Sequence, residues 1–555
     1  VVAAFSQALS RRGVATRTPA HHNPAVPDPA PPRRRLSGAL AVGAGIFLSR
    51  IAGLVRERVL AHTLGRLPAA DAWRAALRIP NLLQNLLGEG VLSASFIPVY
   101  ARLAAEGKTV EAARVARAVG TLLALVASAL ALIGVVAARP LVAFLVPGFE
   151  GEVLALTVQL VQILFPGVAL LVMSAWCLGV LNSHRRFFLS YVSPVLWNAA
   201  MIAATVVAAR RMAGQYDDIV VWIAWGTVIG CAAQFLIQLP TVALLLRSLR
   251  PSLALGDPGV RATLRAFGPV VLGRGSVQLS GFIDQLLASY LGAGMVTALS
   301  AAQVLYLLPV SLFGMAVSAA ELPEMASATG GAAARIEHLQ SRLRGSLRRV
   351  VFLVVPSAVA FVMIGRSIVA LLFQTGRFNA GDTTVVWILL CGSALGLSAG
   401  TQGRLLGSAF YALGDPKPPL HAALVRVAIT GVLGWAFALP VREALGYSEM
   451  WGGFGLTASA GFAAWIEFLL LRRWLGARIG AVPIPVRLGL GALAAAATAG
   501  ALGYGVAWLA TRGGAPIWLS AIAAIGAFGI AYLAITSLAR IPEAAAFTRR
   551  LRRRG

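Results

Sequence analysis

Apolar runs of roughly 20 to 30 residues recur from about residue 38 to residue 540, separated by short polar segments rich in Gly, Pro and Arg. A helix that crosses a bilayer needs about 20 mostly apolar residues, whereas strands are much shorter. The pattern predicts fourteen helices, over 38–64, 72–102, 112–137, 152–181, 188–210, 218–247, 265–292, 297–325, 346–374, 383–412, 419–441, 452–474, 486–511 and 516–539. The second and eighth carry internal prolines (Pro80, Pro98; Pro309, Pro323), each of which removes an intrahelical hydrogen bond. Residues 1–36 differ. They are rich in Pro, Arg and Ala, lack the apolar stretch of a signal peptide, and read as a disordered basic tail.

Composition agrees with the pattern. Of the 555 residues, 58% are hydrophobic and 12% charged, and the mean hydropathy is +0.78. A soluble chain carries about 25% charged residues. A soluble enzyme, a disordered chain and a disulfide scaffold are therefore poor readings, and the expected fold class is an all-α polytopic membrane protein. Cys177, Cys231 and Cys391 all lie in apolar runs and read as packing residues. The sequence has no P-loop, no HExxH motif and no His or Cys ligand spacing. No catalytic residue, resident metal or cofactor is expected.

The 48 Lys+Arg outnumber the 21 Asp+Glu, a net charge of +27. Cytoplasmic loops of membrane proteins are normally basic. With the N-terminus inside, the inner tails and loops hold 32 basic residues and the outer loops 7. This asymmetry places both termini in the cytoplasm. It accounts for the charge through orientation and contact with anionic lipid, with no nucleic-acid partner needed.

Nine arginines remain at membrane depth: Arg50, Arg56, Arg58, Arg74, Arg78, Arg274, Arg366, Arg404 and Arg426. Each costs at least about 2.5 kcal/mol on insertion scales, so each should face a partner or a watery cavity. Five of the nine fall in the first two helices, together with Glu57 and Glu89.

Helices one and two also resemble helices seven and eight. Leu60–Gly65 parallels Leu287–Gly292, an acid stands eight residues before each closing glycine (Glu57, Asp284), and Ser93–Pro98 parallels Ser318–Pro323. Both units start inside, so the repeat is parallel. Such repeats relate two lobes about the membrane normal, with the substrate between them. The expected organisation is a tail (1–36), a six-helix lobe (37–250), a second six-helix lobe (251–475), two further helices (476–540) and a basic tail (541–555).

The segments SRIAGLVRERVLAHTLG and ADAWRAALRIPNLLQNLLGEGVLSASFIPVYARL resemble the N-terminal signature of the MurJ (MviN-type) lipid II flippases, in the multidrug/oligosaccharidyl-lipid/polysaccharide exporter superfamily. RFFLSYVSPVLWNAAMI (186–202), LPVSLFGMAVSAAELP (308–323), LLFQTGRFNAGD (371–382) and FYALGDPKPPLHAA (410–423) match in order. The resemblance covers nearly everything after residue 38. It implies fourteen helices in the bacterial inner membrane and a cationic central cavity. It also implies a groove for the lipid tail in the last two helices. The implied activity is translocation of an undecaprenyl diphosphate-linked disaccharide-pentapeptide by alternating access. The partners implied are that lipid and the surrounding membrane lipids, and the chain is expected to be a monomer.

On this resemblance, Arg50 and Arg56 match cavity arginines suited to the diphosphate. They are six residues apart, so they lie within about 120° on the helix. Arg78 matches a basic family position, with Arg74 and Arg274 as further substrate-binding candidates. Glu57 (usually Asp in the family), Asp71 and Glu89 are the gating or charge-balancing candidates. The bland alternatives are salt bridges for Arg56 and Glu57 and a helix N-cap for Asp71.

Gln84, Asn85 and Val304 stand where arginines are common, leaving a less cationic cavity than the family pattern. Other readings therefore stay open: a flippase for O-antigen or capsule units, an ion-coupled small-molecule exporter, a membrane glycosyltransferase, or a scaffold. With no nucleotide site, the drive is expected from Na⁺, H⁺ or the membrane potential.

Overall fold

The computed structural model describes residues 33–315, 317–318, 321, 324–325 and 331–545, without the side chains at 33–44, 46, 79, 89, 269, 272–280 and 332. The regular structure among the described residues is all helical, with no strand among them.

The helices are α1 (Arg33–Leu64), α2 (Pro68–Leu87), α3 (Glu89–Ser95), α4 (Ile97–Ala105), α5 (Thr109–Val136), α6 (Ala138–Leu145), α7 (Gly151–Ser183), α8 (Phe187–Arg211), α9 (Tyr216–Leu246), α10 (Pro258–Ser289) and α11 (Met295–Pro309). A π-helical turn follows at Val310–Met315. Then come α12 (Ala332–Met363), α13 (Gly365–Phe373), α14 (Ala380–Ala412), α15 (Lys417–Ala438), α16 (Pro440–Ala444), α17 (Glu449–Ile479), α18 (Val486–Arg512) and α19 (Ile517–Leu538).

Twelve helical stretches among the described residues are long and apolar enough to cross a membrane. The expected first and seventh spans are helical as α1 and α10 but are not among these twelve, and both contain stretches without described side chains. Helix α1 is already helical at Arg33, the first described residue and five residues before the expected start.

The expected second helix is three pieces, α2 to α4. Pro80 is accommodated within α2, and the breaks fall at Gly88 and Phe96. A Cβ at Gly88 would lie 2.3 Å from the Gln84 carbonyl oxygen, so only glycine fits this break.

The chain divides into two compact units. The first comprises residues up to Val59, Pro80–Val136 and Val161–Leu272. Its core includes Leu92, Phe96, Val115, Trp176, Leu181 and Val242. The Trp176 indole donates to the Ala116 carbonyl at 3.0 Å, and Gly120 makes room for the ring. Gln238 on α9 donates to Ser174 on α7 (2.8 Å) and Ser193 on α8 (2.7 Å), a polar tie between three apolar helices.

The second unit comprises Leu60–Ile79, Ala137–Leu160 and Gly273 onward. Its tightest seam joins α14 to α17. A Cβ on Gly396 would lie 2.4 Å from the Gly461 Cα, so the two backbones nearly touch. Small residues permit this approach, and dispersion then holds apolar helices together where the hydrophobic effect does not.

Helices α18 and α19 pack on each other and on α12 through Ala495, Ala496, Ala499 and Phe528, and the Tyr532 hydroxyl donates to the Phe352 carbonyl at 2.7 Å. From the last turn of α17, Arg478 pairs with Asp415 in the turn after α14 at 2.6 Å and lies over the Phe410 ring.

Candidate functional site

The charged residues singled out in the sequence fall into separate clusters. In the first unit, α1 carries Arg56 toward the segment of α8 that follows Pro194. The Arg56 guanidinium donates to Glu57 Oε1 at 2.6 Å and to Asn198 Oδ1 at 3.0 Å. It also lies 5.1 Å above the Trp197 ring. Asn198 is itself fixed by donating to the Pro194 carbonyl at 2.9 Å, a carbonyl one turn back on the same helix. Glu57 is buried, with only 5% of its surface exposed.

Glu57 thus pairs with a neighbouring arginine, Arg56, and the acid neutralises it where a buried charge would otherwise be costly. Arg50 lies on the same helix with an exposed side chain. Asn198 and Trp197 were not predicted as functional, although both stand in the matching 186–202 segment. A neutral amide in an apolar helix carries little sequence signal until its partner is known.

In the second unit, Asp71 is buried in the first turn of α2 and caps a different helix. Its carboxylate accepts from the backbone N–H groups of Gly294 and Thr297 (2.7 Å for Thr297) and from the Thr297 hydroxyl (2.6 Å). Gly294 is the N-cap of α11, adopts a left-handed φ of 80°, and has no side chain of its own to serve the free N–H groups. Asp71 supplies that cap from outside, at the positive end of the helix dipole. Asp71 therefore does not cap its own helix, which starts at Pro68, but makes a bond between helices far apart in sequence.

The turn between α1 and α2 is tied at further points. Arg66 donates to the Gly294 carbonyl at 3.0 Å and pairs with Asp382 at 3.5 Å. His62 meets the Thr375 hydroxyl at 2.9 Å, and the Arg377 N–H donates to the His62 carbonyl at 3.0 Å. Together with the capping box of Asn379 and Asp382 at the start of α14, these bonds close one end of the unit.

Arg78, two turns along α2 from Asp71, donates to Gln303 Oε1 at 3.3 Å and lies 5.7 Å from the Phe282 ring centre. Arg74 borders a small crevice beside Trp73, Thr297 and Phe378. Glu89 opens α3 and Arg274 lies on α10, but the side chains of both are outside the described residues. Gln84 is half-buried and Asn85 exposed on α2, and Val304 is half-buried on α11. Arg50 and Arg56 thus belong to the first unit, and Arg74 and Arg78 to the second.

The chain matches known proteins over most of its length. Residues 60–538 match the family model described as Lipid II flippase MurJ. The chain is 32% identical over 445 residues to the "Lipid II flippase MurJ" of Burkholderia cenocepacia, covering 79% of this chain and 83% of that one. It is also 32% identical over 489 residues to the "Probable lipid II flippase MurJ" of Rhizobium meliloti, covering 84% and 86%.

Among solved structures, "Lipid II flippase MurJ, inward closed conformation" superposes with a TM-score of 0.72 at 21% identity, over 90% of this chain and 98% of that one. An inward-facing multidrug resistance MATE family transporter of the MOP superfamily gives 0.60 at 17% identity, over 77% and 95%. Likeness at these identities concerns the fold. The family follows from the match across residues 60–538: this multi-pass membrane protein belongs to the lipid II flippase MurJ family.

Proposed function

We propose that this chain flips lipid II, the undecaprenyl diphosphate-linked disaccharide-pentapeptide, from the inner to the outer leaflet of the bacterial inner membrane by alternating access. The observation that carries the reading is family membership across residues 60–538. The orientation, with both termini cytoplasmic, rests on the 32-to-7 distribution of basic residues. Fourteen spans in two six-helix lobes (37–250, 251–475), with 476–540 as an added helix pair, follow from the repeat and the hydropathy pattern. The chain acts as a monomeric transporter rather than an enzyme, and an ion gradient or the membrane potential drives it.

Arg56 is the residue on which substrate binding turns. Its guanidinium fork suits a diphosphate, and in this structure the fork is taken by Glu57 and Asn198. The diphosphate competes with Glu57 for it. When the substrate leaves, Glu57 recaptures Arg56, so no bare cation is left in a low-dielectric site. Arg50 and Arg78 add positive charge to the path, with Arg74 and Arg274 as further contributors. Asp71 holds the outer end shut through α11.

The test is genetic replacement in a bacterium depleted of its own lipid II flippase, scoring growth together with lipid II on the outer leaflet. The parent chain restores both, and Arg56→Ala restores neither despite normal membrane insertion. An inserted parent chain that restores neither overturns the lipid II reading. It would point to another undecaprenyl diphosphate glycan, for which Gln84, Asn85 and Val304 leave room.

A further inference from the structure

Helix α9 ends at Leu246, and Arg247 adopts a left-handed φ of 58°. The chain then runs without helix to Pro258, where α10 begins. Pro251 cannot continue the hydrogen bonds of α9, and Pro258 suits a first helical position. The proposed lobes meet in sequence within this stretch, at 250–251.

One side of the stretch is fastened to the first unit. The Ser252 N–H donates to the Thr121 hydroxyl on α5 at 3.1 Å, Ala254 packs on the core, and Val260 is fully buried in it. Asp257 is the only acid between residues 247 and 265. It is taken up locally, accepting from the Gly259 N–H at 2.8 Å.

The other side has no protein cover. Ser252 and Ala254 are half-buried, whereas Leu253 and Leu255, which alternate with them, are each 52% exposed. Leu249 and Leu264 are exposed as well. Single exposed leucines are ordinary, but four in one short connection call for an apolar partner. Leu244, in the last turn of the spanning helix α9, is 80% exposed, so the stretch leaves that helix where its surface already faces lipid.

Arg247, Arg250, Arg261 and Arg265 are exposed in the same stretch. Arg261 Nε donates to the Leu255 carbonyl at 3.1 Å, which sets its guanidinium beside an exposed leucine. Among the described residues, none of these four arginines forms an ion pair. Arg117, one turn before Thr121 on α5, adds a half-buried guanidinium whose Nε has no hydrogen-bond partner.

Leucines and unpaired arginines call for different surroundings, and the bilayer interface offers both. The irregular backbone cannot enter the hydrocarbon, where its N–H and C=O groups would go unmet. At headgroup depth water serves that backbone, the leucines reach the acyl chains, and the guanidinium forks meet phosphate oxygens. With the one acid already engaged, the charge selects anionic over zwitterionic lipid.

We propose that residues 247–265 bind anionic phospholipid of the inner leaflet, with Leu249, Leu253, Leu255 and Leu264 among the acyl chains and Arg250 and Arg261 on the phosphates. The joint between the proposed lobes is thereby held at the membrane surface. The choice of leaflet rests on the cytoplasmic orientation proposed above. The lipid preference does not, and neither depends on which glycan is carried.

The experiment places a single bimane-labelled cysteine at Leu253 in the full chain, with the three native cysteines replaced by Ala. The protein is reconstituted into vesicles of phosphatidylcholine and phosphatidylglycerol. One lipid at a time carries bromine on its acyl chains, so quenching reports which lipid lies against the label. Both leaflets have the same composition, so orientation has no bearing on the result. Quenching should be strong, with phosphatidylglycerol preferred by about fivefold for each arginine that engages it. Arg250→Gln with Arg261→Gln should abolish most of that preference while quenching persists. Arg261→Lys, which keeps the charge, should retain most of it. A label that neither lipid quenches overturns the inference, and energy transfer between labelled copies would then name a second copy as the occupant. Equal quenching by the two lipids, or a preference unchanged in the double variant, overturns the anionic assignment. Failure of the orientation shows separately, in the side from which a cysteine at Gly107 is labelled.

Discussion

At the residue scale, the informative side chains are those whose partners come from distant sequence. Asp71 satisfies two backbone N–H groups and a hydroxyl at the start of α11. Asp71→Ala leaves those donors buried and unmet, at a cost of about 1–3 kcal/mol. The expected result is a broader spin-label distance distribution between positions 69 and 296, with Thr297→Val giving a smaller effect.

A second residue-scale prediction concerns the loops. The hydrogen bond from Arg478 holds the Asp415 carboxyl below the usual carboxylate range. A group whose folded pKa is depressed adds stability above its unfolded value, near 4, and loses it as pH falls through the folded value. Asp415→Asn should therefore melt lower than the parent at neutral pH, and the difference should vanish in acid below that range. An equal difference at all pH values would assign the effect to packing of Arg478 on Phe410.

Arg56, Glu57 and Asp71 were all legible in the sequence as charges in apolar helices. A salt bridge for Arg56 and Glu57 was legible too, but the neutral partners of these charges and of Arg78 were not. Asn198, Thr297 and Gln303 are neutral polar residues whose role depends on which helices meet, and helix pairing is not written in local hydropathy.

At the scale of elements, the hydropathy pattern predicts where the long helices lie but not how they break. Gly88 and Phe96 interrupt the expected second helix, while Pro80, the obvious breaker, is carried inside α2. A proline within the membrane can be tolerated when neighbours satisfy the freed carbonyl. A break requires a backbone approach that only the fold reveals, as at Gly88 against Gln84.

The α14–α17 seam makes a sharper prediction. Gly396→Val would drive a branched side chain into the Gly461 backbone, which has no flexible end to move aside. Overpacking of this kind costs about 1–3 kcal/mol or more. The variant should melt well below the parent, while Gly476→Val, at a position with open space, should not.

At the scale of the whole molecule, composition and length already indicate a polytopic helical membrane protein, and the excess of basic residues is absorbed by the loops. The orientation is tested by labelling. With Cys177, Cys231 and Cys391 replaced by Ala, a single cysteine at Gly107 should react with an impermeant maleimide only from the cytoplasmic side, and one at Gly214 only from outside. Both positions are turns with open space around the glycine, so a new side chain is accommodated sterically, although the positive φ adds local strain. Reaction of both from one side would invalidate the helix count between them.

The π-helical turn at Val310–Met315 bears on how this chain tolerates changes of length. A π turn holds one residue more than the α turn it replaces. Removing a single residue there, such as Leu312, could be absorbed by reverting to α geometry, leaving the preceding and following helical segments close to their present phase. The same deletion in the middle of α14 has no spare residue to absorb it. It would rotate every later side chain by about 100° and turn Gly396 away from Gly461. Single-codon deletions scanned along the gene should therefore be survivable at the π turn and lethal along the glycine seam, making this short stretch a natural expansion joint between otherwise length-locked helices.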